Sequence, residues 1–456
     1  MKILGVGSPM LDGTGGERRN FMTLSQYSDF GVEAYLHYPF TKLVWAVVNK
    51  KKKPELLENL RRNINLLEQK EVIIQSFFKE ILEFPSIMFE DKNIRKLFEK
   101  KHPFPHWYFQ SLVNEVSPLH LKYVNTTINE TKGYHLIYQM GEPPDYGHEA
   151  LLLAKRTGYP LTTLIQEYPY KAKSTKYYMK SLLSKYTHIL PSFVMEAASF
   201  PFTYGLYRKL PRSVVVKGML IISQACFQNR GIHRNLLKKG IPSIALNHPG
   251  AIESLDHVKH GKKEDYVIYY ARMVPEKGIF EIPEIAKELG NDIKILIYGK
   301  FPNKTTEINF KQLISNNKNI VYGGFADREE LLDRICKAKV VIYPSHADAF
   351  SLVILEALSL GTPVVAYKIP GLIQYQVLPA VSLVKEFDYY TMAKEIKEFL
   401  DMPDAEYHSL INNEKVQLFI RDHKSWKDLT EEEILQLENI LNGDMERIRS
   451  IPWQPT

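Results

Sequence analysis

Cysteine is almost missing from this chain of 456 residues. Cys226 and Cys336 are the only two, so no disulfide framework and no metal-ligand spacing is available, which suits a reducing compartment. Long apolar runs are missing too: none approaches the roughly 20 residues that span a bilayer. The opening MKILGVGSPMLDG is apolar for too short a stretch to be a secretory leader. The fourteen histidines form no ligand cluster, so no catalytic metal and no bound cofactor is expected. Together these absences predict a cytoplasmic protein, with peripheral contact at the inner membrane face as an alternative. Charge of one sign is also scarce, at a net +7.

What charge there is gathers in one place. Residues 50–101 hold 13 Lys/Arg against 9 Asp/Glu and open on NKKKKP, supplying +4 of the total. A lysine run of this kind is a solvated face, or a patch for anionic lipid headgroups at about 1 kcal/mol per basic residue near the surface. Its mixed charge, with no recognised binding motif beside it, argues against nucleic acid. At this length two domains are the default, and 45% hydrophobic with 24% charged residues is a globular composition.

MKILGVGS reads as a strand ending in glycines, followed by a GTGGERRN loop, a helix and a second strand. From about residue 41 to 131 the texture becomes helical. Leu56, Leu57, Leu60, Ile64 and Leu67 share a face, and Ile73, Ile74, Phe77, Phe78, Ile81 and Leu82 continue the pattern. We read this span as a helical insertion in an N-terminal domain, 1–255. Strand-like runs then recur at YHLIYQM, PLTTLI, GMLIIS and IPSIAL. From 256 to about 420 continuous Val/Ile runs (YVIYYA, IKILIYG, NIVYGGF, VVIYPS, PVVAY) alternate with amphipathic helices, the pattern of a parallel sheet covered on both faces. Asp327 is placed to cap the helix DREELLDRICKA. The fold class is therefore α/β, with two doubly wound Rossmann-like domains facing a cleft, and ligands are expected at the C-terminal strand ends.

Polar residues collect at those ends. In YARMVPEKGIF, Arg272 follows a strand and Lys277 precedes Gly278 at a helix start. A planar fork, a point charge and a helix N-terminus could together hold a diphosphate. Both residues could equally be ordinary loop cations. In HADAFSLVILEALSLGTP, Asp348 precedes a helix and Glu356 lies eight positions on, a little over two turns, so the two face nearly the same way. Glu356 suits the hydroxyls of a ribose. Backbone amides around Ala349, Phe350, Ser351 and Leu352 suit a phosphate or sugar oxygen. An unpaired carboxylate in so apolar a helix would be costly.

ARMVPEKG, the run from IVYGGFADREELL to GTPVVA, and HKSWKDL resemble the large family of retaining GT-B glycosyltransferases that includes sucrose and glycogen synthases and many lipid and polysaccharide glycosyltransferases. The resemblance is strong from about 266 to 370. It implies that Arg272 and Lys277 bind the donor diphosphate, that Asp348 and Glu356 contact donor sugar and ribose, and that Gly324 and Phe325 line the nucleobase. Ser425 and Trp426 resemble the start of a C-terminal helix, 421–456, that crosses back to the first domain. Gly15 and Gly16 match the family's glycine-rich loop, where missing Cβ atoms let the backbone approach the phosphates. In YQMGEPPDYG, Gly141 stands where the family often has a His before an acidic residue, here followed by Glu142 and Pro143. His148, nearby, does not occupy that position. No two aspartates stand two apart, so the Asp-x-Asp metal site of the other major glycosyltransferase fold is missing.

The expected activity is metal-independent hexosyl transfer from a nucleotide-sugar co-substrate to an unidentified glycan, lipid-linked or protein-linked acceptor, with retention. A decayed nucleotide-sugar-binding protein on the same fold is the alternative. A dinucleotide oxidoreductase is disfavoured, because GTGGER lacks the Gly-x-Gly-x-x-Gly spacing. Asp348 is one methylene shorter than the family's usual Glu, about 1.5 Å of reach.

Overall fold

The computed structural model describes residues 1–11, 15–49, 54–92, 94–95, 117–141, 148–166, 214–222, 241–253, 255, 257–258, 262–302 and 304–444. These fall into two compact units. The first takes the described residues of Met1–Tyr170, Leu190–Pro249 and Trp426–Thr456, and the second those of Gly250–Ser425. The expected Cys226, Glu142, Pro143 and the 50–53 lysine run lie outside the described residues, as does the span 96–116.

The first unit is built on a parallel sheet of seven described strands: β1 (Lys2–Val6), β2 (Glu33–His37), β3 (Ile73–Ile74), β4 (Leu136–Gln139), β5 (Leu161–Ile165), β6 (Val216–Ile221) and β7 (Ser243–Ala245), ordered β3-β2-β1-β4-β5-β6-β7. Among the described residues before the second unit, its helices are α1 (Gly15–Leu24), α2 (Phe40–Asn49), α3 (Pro54–Glu68), α4 (Ser76–Glu83), α5 (Pro118–Glu130) and α6 (His148–Thr157). Leu57, Leu60, Ile64 and Leu67 of α3 are buried, as their spacing requires. One reading of the helical span changes. Ile73 and Ile74 form a short edge strand paired with Tyr35 and Leu36, and the helix begins only at Ser76. Two β-branched residues fit the pleated edge, and an apolar run this short does not distinguish the two states by periodicity.

The second unit's sheet runs β10-β9-β8-β11-β12-β13, from β8 (Glu264–Tyr270), β9 (Lys294–Tyr298), β10 (Ile320–Gly324), β11 (Ala338–Tyr343), β12 (Val364–Tyr367) and β13 (Val381–Val384). Counted from β8 this is the order 3-2-1-4-5-6, all parallel, of doubly wound nucleotide-binding sheets. The sheet's centre is closed to solvent: every residue of β11 is buried. Helices α7 (Ile282–Leu289), α8 (Lys304–Ile314), α9 (Arg328–Lys337), α10 (Leu352–Ser359), α11 (Tyr389–Asp401), α12 (Asp404–Ile411) and α13 (Glu414–Asp422) follow, and α14 (Trp426–Asn442) belongs again to the first unit. Asp327 caps α9, its carboxylate accepting the Glu330 amide at 2.9 Å. Each sheet reverses its strand order at one place, beside β1 and β4 in the first unit and beside β8 and β11 in the second.

Candidate active site

The reversal in the second unit brings together two residues 71 positions apart in sequence. Lys277, from the turn after β8, lies 2.8 Å from Oδ2 of Asp348, from the turn after β11. Its ammonium also donates to Tyr343 Oη and to the Ala347 carbonyl, both at 3.1 Å. Tyr343, the last residue of β11, donates its own hydroxyl to the same Asp348 oxygen at 2.5 Å. Burial alone would lower the pKa of Lys277, but Asp348 and then Tyr343 outweigh it and hold the ammonium above its ordinary value. Burial, then the Asp348 charge, raises the Tyr343 hydroxyl.

The other Asp348 oxygen has different work. Oδ1 accepts the amides of Ala349, Phe350 and Ser351 at 2.9, 3.4 and 3.3 Å. Three of the amides that the sequence offers to a ligand oxygen are thus bonded to Asp348 here. Ser351 is forced to φ 44°, rare for a residue with a side chain, and caps α10 by accepting the Ile354 amide at 3.4 Å. Tyr375 donates to the Ser351 carbonyl at 3.0 Å. Phe350 is buried against Tyr375 and His423, and Leu352 is partly exposed at the first turn of α10.

Two glycines allow these turns to meet. Gly278 has φ +76°, and a Cβ there would lie 2.0 Å from the Pro344 carbonyl oxygen. A Cβ on Gly371 would lie 1.8 Å from the carbonyl oxygen of Asp348. Below the turn, His346 is buried with Nδ1 2.7 Å from Glu386 and Nε2 3.4 Å from Glu281. Tyr389 donates to Glu281 as well, at 2.5 Å. Burial alone would lower the His346 pKa, but the two carboxylates more than offset it and raise it.

Glu356 is also held. Its Oε1 lies 2.5 Å from Nη1 of Arg328, the first residue of α9. Gly324 ends β10 at φ +84°, and Phe325 after it is 76% exposed, an unusual position for so large an apolar ring. Arg272 is exposed just beyond β8, and among the described residues no hydrogen bond or ion pair holds its guanidinium.

In the first unit Gly15 and Gly16 open α1, near the reversal beside β1. Gly16 packs against the Gln166 side chain, which a Cβ would approach to 2.4 Å, whereas Gly15 faces open space. Behind them Gln166 donates to Asn20 at 2.6 Å and to the Met140 carbonyl at 3.1 Å. A buried ion pair anchors α1: Arg19 meets Glu433 of α14 at 2.6 Å, and Tyr27 donates to the same carboxylate at 2.6 Å. Gly141 is buried, its carbonyl accepting from Gln139 at 2.8 Å. His148 begins α6. Its neighbour Glu149 turns inward to His37 at 2.6 Å and accepts the first amide of α2, from Phe40, at 2.9 Å. Burial by itself would raise the Glu149 pKa, but His37, His120 and the Phe40 amide bring it below the ordinary carboxylate value.

Sequence reasoning missed Tyr343, Arg328, Gly371, the His346 pair and the His37–Glu149 pair. For Tyr343 a signal existed, a hydroxyl closing an apolar strand five positions before Asp348. The others depend on residues far apart in the chain.

Residues 251–417 match the family model described as glycosyl transferases group 1. Over those residues the second unit is similar to that family, and the chain has the GT-B fold. Among solved structures, Anabaena HepE in complex with UDP and glucose is similar over 96% of this chain and 100% of its own, at 15% identity and a TM-score of 0.58. Among curated proteins, the alpha-D-kanosaminyltransferase of Streptomyces kanamyceticus is 29% identical over 147 residues, 30% of this chain and 37% of its own length. The processive diacylglycerol alpha-glucosyltransferase of Acholeplasma laidlawii is 29% identical over 105 residues, 23% of this chain and 31% of its own length. The chain spans between a quarter and about half the length of the curated relatives it matches. Among the described residues no helix is long and apolar enough to cross a membrane.

Proposed function

We propose that this chain transfers a sugar from a nucleotide-sugar donor to a glycan, lipid-linked or protein-linked acceptor, with retention at the anomeric carbon and without a metal. The observation that carries the reading is the meeting of Lys277, Asp348 and Tyr343 at the β8–β11 reversal, with Arg272 exposed at the same strand end. Open α/β sheets bind their ligands at that position. Arg272 is free to clamp a diphosphate in its planar fork, and Lys277 adds a preorganised positive charge. Transfer demands that charge developing on the departing nucleoside diphosphate be stabilised, which fixed cations do without reorganising. A donor phosphate oxygen would take the acceptor proton, so no separate protein base is required. Glu356 would accept the ribose hydroxyls, exposed Phe325 would stack on the base, and the loop at Gly15 and Gly16 would approach the phosphates. HepE's UDP puts uridine nucleotides first among the donors to test.

The test is release of free nucleoside diphosphate from a panel of UDP-, GDP- and ADP-sugars with candidate acceptors. One donor should turn over, and Arg272→Ala or Lys277→Ala should slow it by about a hundredfold or more. Unchanged turnover in both variants would overturn the assignment. A second reading, a binding protein that no longer transfers, is favoured by one fact: Lys277 and both oxygens of Asp348 satisfy each other and the local backbone. Binding without release or transfer would support it. For a lipid-linked acceptor the protein would dock peripherally, and its co-sedimentation with anionic but not neutral liposomes checks that.

A further inference from the structure

The carboxylate of Glu356 is 12% exposed and is the one charged group of α10. One oxygen is already committed, to the Arg328 guanidinium at 2.5 Å. Arg328 is itself placed by the cap of its helix. Asp327 pins the start of α9 through the Glu330 amide, and its own position as first helical residue follows from that cap. Beneath the pair, Tyr270 at the end of β8 donates to the Val353 carbonyl at 2.7 Å and so ties α10 to the sheet. Both charges act on the Tyr270 hydroxyl, Glu356 raising its pKa and Arg328 lowering it after the larger effect of burial. The pair therefore stands over the same strand end as Arg272.

We propose that Arg328 is a positioning residue: it fixes the Glu356 carboxylate so that the second oxygen faces the donor ribose, and it thereby gives the site its preference for ribose over 2′-deoxyribose. A carboxylate held by a charged donor on one oxygen cannot spin to an alternative rotamer. Its other oxygen keeps lone pairs for two vicinal hydroxyls. A site built to bond a hydroxyl rejects the analogue lacking it, because the acceptor is left unmet. Without Arg328 that acceptor is no longer fixed, and the discrimination should fade.

The inference rests on the nucleotide-sugar reading, and calorimetry separates the two. The affinities of UDP, GDP, ADP and their 2′-deoxy counterparts are measured for the wild-type chain, Arg328→Ala and Arg328→Lys. For the base that binds, Arg328→Ala should weaken the ribonucleotide about tenfold, roughly 1.4 kcal/mol, and the deoxynucleotide less than about twofold. Arg328→Lys should recover part of the difference, since Lys restores the charge without the fork. Thermal unfolding checks that each variant folds, and Arg328→Gln replaces Arg328→Ala if that variant does not. Equal losses for both nucleotides would mean a merely structural role and overturn the proposal, as would an unchanged ratio. A wild-type chain that binds none of the six would overturn the nucleotide reading and this inference with it.

Discussion

Replacing Lys277 by Met removes one ammonium and strands the carboxylate of Asp348 with only Tyr343 on that oxygen. The two charges are 2.8 Å apart, and their side chains are 15% and 17% exposed. At an effective dielectric of about 20, unit charges at that distance attract by about 6 kcal/mol before desolvation is counted. Desolvation of both ions offsets most of that, but the ion left behind keeps its own penalty when its partner is deleted. Lys277→Met should therefore destabilise the second unit by about 3 kcal/mol. Asp348→Asn keeps an amide oxygen for the Ala349–Ser351 cap but strands the Lys277 ammonium, and should also cost about 3 kcal/mol. In the double variant no charge is stranded, so the combined loss should fall short of the sum by about 2 kcal/mol. Urea unfolding of the four proteins, followed by circular dichroism, closes the cycle. Additivity within about 0.5 kcal/mol would refute the claim that the two residues act as one buried unit.

Two further outcomes follow from the same turns. Gly31 and Gly278 share a left-handed backbone, at φ +70° and +76°, but only Gly278 has a neighbour where a Cβ would go. Gly31→Ala should cost about 1 kcal/mol from conformation alone. Gly278→Ala should cost at least about 3 kcal/mol, because the Pro344 carbonyl must also move; equal urea midpoint shifts would contradict the close approach. His346 supplies a pH dependence. Its folded pKa is raised above 6.5, so its contribution is fully present below about pH 6.5 and is lost as pH rises through the folded value. The melting-temperature gap between wild type and His346→Gln should narrow from about pH 6 to pH 9, and a constant gap would remove His346 from the account.

Most of the second unit is legible in the sequence because Val/Ile runs such as VVIY alternate with amphipathic helices, and Asp327 and Gly361 mark helix ends chemically. The strand VSLV was not singled out: Ser382 interrupts it, and its edge position demands only partial burial. Ile73 and Ile74 read as helix because local spacing favoured it, while pairing with β2 decided otherwise. The site divides the same way. Arg272, Lys277, Asp348 and Glu356 were visible as charged residues at strand and helix ends. Their partners were not, because Arg328 meets Glu356, and Lys277 meets Asp348, only once the strand order is set. The close approach at Gly371 likewise depends on a turn 23 positions earlier in the chain.

The central claim is that the strand ends of the second unit hold a nucleotide-sugar through Arg272 and Glu356. Titration calorimetry of the wild-type chain, Arg272→Ala and Glu356→Gln with UDP-, GDP- and ADP-sugars measures it directly. One donor should bind the wild type with micromolar affinity, about −8 kcal/mol, and each variant should bind it at least about tenfold more weakly. Wild-type binding that neither variant weakens would place the donor elsewhere and contradict the account.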